Sequence, residues 1–109
     1  MKYHGRRTPE GATIIVETDE GQHALLPMTA QAAAHSPTGF EWGYGGSGPA
    51  DLALALCADA LGAIEPAYEV YQEFKWHVVS MLPFSGWMIT QQSILDEVQR
   101  IRETMTVAV

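Results

Sequence analysis

Cysteine is almost missing from this chain: Cys57 stands alone, so no disulfide can form within it. That usage fits a reducing compartment. Basic residues are scarce too, six Lys and Arg against thirteen Asp and Glu, for a formal charge of −7 at pH 7. A protein that grips duplex nucleic acid through its phosphates needs clustered cations, so direct duplex binding is not expected. No apolar run approaches the length that crosses a membrane, and residues 1–20 lack the apolar stretch of a signal peptide. The expectation is an acidic, cytoplasmic protein with no membrane contact. Neither a His-x-x-x-His nor a Cys-x-x-Cys spacing occurs, so no metal site and no cofactor are expected.

What is present reads as globular. Hydrophobic residues make up 47% and charged residues 17% of 109 positions. A chain of this size can bury about two-thirds of its unfolded surface, enough for one core, so residues 1–109 are read as a single domain. Thr13 to Glu17 and His23 to Leu26 have strand character, joined by turn chemistry at Asp19-Glu20-Gly21. Lys2 to Arg7 adds an expected edge strand. Thr29 to His35 suggests a turn or two of helix, and Ser36-Pro37-Thr38-Gly39 a turn. Phe40, Trp42 and Tyr44 alternate as they would on one face of a strand. No internal repeat stands out.

Pro49 opens a helix that runs to Leu61 and stops at Gly62. Leu52, Leu54, Leu56, Cys57 and Leu61, with five alanines, cover nearly its whole circumference, so this central helix should be buried. A second helix is expected from Pro66 to just before Pro83, with Tyr71, Phe74, Val78 and Leu82 as its core stripe. Trp87 to Thr90 is a short strand. Gln91 to about Met105 is a third helix, capped by Thr90, with Ile94, Val98 and Ile101 facing inward. The fold class is α+β: an antiparallel sheet of three or four strands packed against about three helices.

The block from His35 to Ala50, which contains Gly39-Phe40-Glu41-Trp42-Gly43-Tyr44-Gly45-Gly46-Ser47-Gly48, resembles the mark of an uncharacterised family of small bacterial and phage proteins. Tyr71-Gln72-x-Phe74-Lys75, the strand Trp87 to Thr90 and the opening Met1 to Arg7 belong to the same resemblance. It implies a compact α+β domain in a bacterial or mobile-element context, with no established activity.

Gly43, Gly45 and Gly48 have the spacing of the dinucleotide-binding glycines and precede a helix, whose free N–H groups favour an anion. Gly62, however, leads straight to another helix rather than to a second parallel strand, which excludes the Rossmann arrangement. Pro49 stands where a P-loop needs its lysine. Ser47 is a near miss for a nucleophile elbow, and no histidine is tied to it by spacing, so an N-cap role is expected. Asp51 and Asp59 share a helix face but lie about 12 Å apart along the axis, too far to share one water. Tyr71 and Lys75 lie one turn apart on a face, a pairing that needs a cofactor domain this length does not allow.

No catalytic residue is assigned. The leading expectation is a non-enzymatic binding protein of phage or mobile-element type, an inhibitor that occludes a host defence or nucleic-acid-handling protein. Its interaction surface would be Glu69, Glu73 and Trp76, facing a partner with basic residues, with a homodimer as a further option. The alternative is a nucleotide-like anion held at Tyr44, Gly45, Gly46, Ser47 and Gly48. A hydrolase using Ser47 is the weakest option.

Overall fold

The computed structural model describes residues 1–27 and 39–107. The helical turn expected at 29–35 and most of the turn at 36–39 lie outside these residues. Strand β1 (Lys2–Thr8), β2 (Gly11–Thr18) and β3 (Gly21–Ala24) form two hairpins at the N-terminus. Helices α1 (Ser47–Leu61) and α2 (Ile64–His77) follow, then a 3₁₀ turn at Val79–Met81, strand β4 (Gly86–Thr90) and helix α3 (Gln91–Val107). The antiparallel sheet has the order β3-β2-β1-β4. The α+β class stands.

One turn chemistry builds both hairpins. Thr8-Pro9-Glu10-Gly11 and Thr18-Asp19-Glu20-Gly21 are a short repeat ten residues apart, which the reading of the sequence passed over. In each, the threonine Oγ1 accepts from the glutamate N–H at 3.2 Å. The same hydroxyls donate to the Gly11 and Gly21 carbonyls at 3.0 and 3.4 Å. Gly11 and Gly21 sit at φ +123° and +136°, where a β-carbon is disfavoured.

β1 is not the edge strand its place at the start of the chain suggested. β4 returns from far along the chain and pairs with it, Tyr3 opposite Ile89 and Gly5 opposite Trp87. Tyr3, Ile14 and Val16 form the buried face of the sheet. Across from it lies α1, apolar all round and buried along almost its full length. Tyr3 ties the two layers, its hydroxyl donating to Asp59 at 2.6 Å. Ile94, Val98 and Ile101 of α3 close the core as expected. Thr90 caps α3: its Oγ1 accepts from the Ser93 N–H at 3.0 Å, and Ser93 Oγ accepts from the Thr90 N–H at 3.2 Å.

Three local expectations are corrected. α1 starts two residues early with Gly46 as N-cap, so Ser47 lies inside the first turn and no side chain caps the helix. The stretch holding Phe40, Trp42 and Tyr44 is not a strand. Gly43 at φ +88° breaks its alternation, leaving Phe40 and Trp42 buried and Tyr44 exposed. α2 buries Ala67, Val70 and Phe74; of the expected stripe only Phe74 is fully buried, while Tyr71, Val78 and Leu82 pack partly buried against the core. The helix ends at His77, so positions 78 and 82 leave its face, and small residues at 67 and 70 admit the alanine-rich α1.

Gly5 is buried because Trp87, directly opposite, lays its indole across it; a β-carbon on Gly5 would fall inside that ring. We expect Gly5→Val to lose about 1–3 kcal/mol through this clash. Urea unfolding checks it, and an unchanged midpoint would show that the indole can move aside at no cost.

Candidate functional site

The stretch from Gly39 to Gly46 has no ladder of its own, so side chains must hold it. Arg7 does most of this. Its guanidinium donates to both carboxylate oxygens of Glu41, at 3.1 and 2.8 Å, and its Nε donates to the Phe84 carbonyl at 2.7 Å. The same group lies 4.5 Å from the Trp42 ring centroid and 3.7 Å from that of Phe84. Trp42, fully buried, donates its indole N–H to the carbonyls of Pro83 and Phe84 and meets Trp87 edge to face. The Glu41 carboxyl is held below its usual range by its hydrogen bonds from Arg7.

With that block anchored, the glycine loop runs along the segment that follows α2. The Gly43 N–H donates to the Val79 carbonyl at 3.0 Å. The Trp76 ring rests on Gly45 and the Tyr44 ring on Gly46, leaving no room for a β-carbon at either position. Glu41 similarly crowds Gly48. Gly45, Gly46 and Gly48 do not hold left-handed backbone conformations: none has positive φ. They are needed for space, not for dihedral freedom.

The two candidate sites, read separately in the sequence, become one surface. Tyr44 is 53% exposed, Trp76 55%, Phe84 70% and Met81 76%. Lys75 stands behind Trp76 with its Nζ 4.4 Å from the ring centroid. Glu65, Glu69 and Glu73, each one turn apart, are exposed on α2. Glu65 and Glu69 share the stripe that ends in Trp76, and Glu73 pairs with His77 at 3.5 Å. Trp87, by contrast, is partly buried on Gly5.

Elsewhere the chemistry is quiet. Cys57 is buried in α1, and desolvation pushes its thiol up to about 12, which leaves no reactive thiolate. Burial and Asp59 raise Tyr3 far above a normal phenol. Two open hollows of about 190 and 220 Å³ flank α2 and α3, lined in part by Glu73, His77 and Glu97, away from the glycine loop. Among the described residues no group of three His, Cys, Asp or Glu side chains could hold a metal ion. None of their helices is long and apolar enough to cross a membrane.

Residues 3–100 match a family of unknown function, DUF6166. The chain belongs to that family. No curated protein and no solved structure matches it. The match spans β1, the glycine loop and most of α3, so it covers every segment that Arg7 ties together. Arg7, Glu41 and Phe84 were not singled out from the sequence. Their signal was an arginine pair on a strand, an acidic residue between two aromatics, and a third aromatic after Pro83.

The depressed Glu41 carboxyl gives a signed pH effect. Its stabilisation is present above the unfolded carboxyl range and is lost as pH falls through the lower folded value. Glu41→Gln should be less stable than the parent by about 1 kcal/mol at neutral pH, the gap closing below about pH 4. Urea midpoints of both proteins from pH 7 to pH 3 test this. A gap constant with pH would assign the loss to packing.

Proposed function

We propose that this protein is a non-catalytic, protein-binding module whose contact surface is the aromatic patch around Trp76 and the acidic face of α2. One observation carries the reading: Trp76 is seated on a glycine that makes room for it, yet stays 55% exposed. A tryptophan held at the surface on a rigid seat suits a buried anchor at an interface, where such residues carry much of the binding energy. Tyr44, seated on the neighbouring Gly46 and 53% exposed, adds to the apolar area. Glu65, Glu69 and Glu73 add a negative rim that favours a partner with Lys or Arg and speeds its approach. Ser47 has no described histidine bonded to it, which lends the hydrolase reading no support.

By its resemblance to phage and bacterial proteins, the module would act in the cytoplasm by covering a host protein. Capture of a nucleotide-like anion at the glycine loop remains the second reading, favoured by the uncapped start of α1.

Native mass spectrometry of the protein purified from the cells that make it should show a complex with a second, larger protein. Trp76→Ser should abolish that complex while its melting temperature stays within a few degrees of the parent, because the ring is half in water. Changing Glu69 and Glu73 together to Gln should slow association and flatten its dependence on salt. A parent that carries no partner, or a Trp76 variant that keeps it at the same affinity, would overturn the reading.

A further inference from the structure

Strand β4 is an edge of the sheet: β1 pairs with one side of it, and among the described residues no strand pairs with the other. Such an edge is a template for another chain, and proteins blunt it with charge or proline. Gly86-Trp87-Met88-Ile89-Thr90 holds neither. The register shows which backbone groups face outward. The Gln91 N–H donates to the Met1 carbonyl at 2.9 Å, so by alternation the hydrogen-bonded pairs with β1 fall at Ile89 and Trp87. Gly86, Met88 and Thr90 therefore turn their N–H and C=O groups away from β1. The ends of this row are closed: the Gly86 N–H donates to the Pro83 carbonyl at 3.3 Å, and the Ser93 hydroxyl serves both Thr90 groups. The Met88 N–H and carbonyl, with the Gly86 carbonyl, have no partner among the described residues. Beside this open stretch is a hollow of about 220 Å³, lined by Ile89 of the strand itself, Phe74 and Val78 of α2, and Ile94 and Glu97 of α3. It is smaller than the roughly 300–1,000 Å³ of small-molecule sites and suits a single side chain better than a cofactor.

We propose that an extended segment of another protein adds to β4 as a fifth, antiparallel strand and seats an aliphatic side chain in this hollow. One residue of the segment exchanges both hydrogen bonds with Met88, and the N–H two residues later reaches the Gly86 carbonyl. The residue before it then lies opposite Ile89 on the inner face, over the hollow. Backbone pairing supplies affinity and the hollow supplies selection. Charge narrows the partner further. Glu97 lines the hollow, and Glu73 and Glu97 flank His77 at 3.5 and 3.9 Å, two carboxylates against the guanidinium of Arg100. That balance favours a Lys or Arg two residues before the aliphatic one, on the same face. A second copy fits poorly. Pairing two β4 strands through Met88 would bring Trp87, already laid across Gly5, to the hollow, and β3 offers only Gly21-Gln22-His23-Ala24. This edge is separate from the Trp76 surface, and either reading can fail without the other.

The test is a titration of the full chain with the blocked peptide acetyl-Lys-Thr-Leu-Thr-Val-Thr-amide, followed by amide NMR. Saturable shifts should centre on Val78, Met88, Ile89 and Ile94, with affinity on the order of millimolar, and exchange of the Met88 N–H should slow. Methylating the backbone nitrogen of the Thr after Leu removes the donor to the Met88 carbonyl and leaves the protein untouched. It should weaken binding roughly fivefold to tenfold. Met88→Pro removes the other bond at an edge position that accepts proline, and should cost about as much. A peptide with Glu in place of Lys should bind several-fold more weakly to the parent, and the gap should close in Glu97→Gln. Trp76→Ser should bind the peptide as the parent does, which separates this edge from the function proposed above. Three results would overturn the proposal: no saturable shift at several millimolar peptide, equal affinity for the methylated peptide, or a chain that dimerises with its Met88 N–H protected before any peptide is added.

Discussion

The guanidinium of Arg7, set against the rings of Trp42 and Phe84 and forked onto Glu41, joins the ladderless stretch at 41–42 to β1 and to the segment that leads into β4. Its planarity is what makes the clamp work. Two aromatic rings lie within 4.5 Å of the guanidinium while its N–H groups donate to a carboxylate and a carbonyl. A lysine ammonium could neither stack between rings nor fork onto Glu41. The consequence runs beyond the cluster, because residues 39–46 deliver the N-terminus of α1. Where Arg7 holds Glu41 decides where Gly43 meets Val79, where the glycine loop lies and where the buried helix begins.

Aromatic rings seated on glycines recur through the molecule. Trp87 covers Gly5, Trp76 covers Gly45 and Tyr44 covers Gly46. A glycine offers a flat stretch of backbone against which a ring gains contact without displacing a side chain. The device has two different outcomes. Across the sheet it fills the gap that Gly5 would leave in a central strand, a role that serves stability. On the loop it holds two rings that remain about half exposed, and water contact cancels much of what their burial would contribute. Stability alone does not account for the second use.

How much of this was legible in the sequence depends on the range of the signal. The buried α1, the α3 stripe, the Thr90 cap and the Gly62 stop were readable because each is written within a few neighbouring residues. The Gly62 case shows how local the code is: φ +78° and an N–H donated to Ala58 end the helix where its glycine stands. The partners of β1 were not readable, since the pairing of Tyr3 with Ile89 joins opposite ends of the chain. Glycine misled in a specific way. Flexible backbone is the usual reason for a glycine cluster, whereas at 45, 46 and 48 the reason is space taken by the Trp76 ring, the Tyr44 ring and the Glu41 side-chain stem. The stripe on α2 was legible only in part, as periodicity marks Phe74 but cannot say where the helix stops.

Charge completes the account of the exposed surface. Of the six Lys and Arg, Arg7 is used within the structure and Lys75 is laid against an indole. Lys2 and Arg6 project from β1 with His4 on the face opposite Tyr3 and Gly5, where His4 contacts Glu17 at 2.8 Å. The exposed acids of α2 lie in the helical layer on the other side of the sheet. Arg100 is also exposed, on α3, but pairs with Glu97 at 3.2 Å, so the carboxylate row of α2 still gives the surface a direction as well as a net charge. Such fields act over about 8 Å at physiological salt, far enough to turn an approaching molecule but too weak to hold it. Retention has to come from the surface that loses water on contact. In the proposed protein-binding reading that surface is the aromatic patch next to the acidic row of α2, so approach and retention would converge on Trp76.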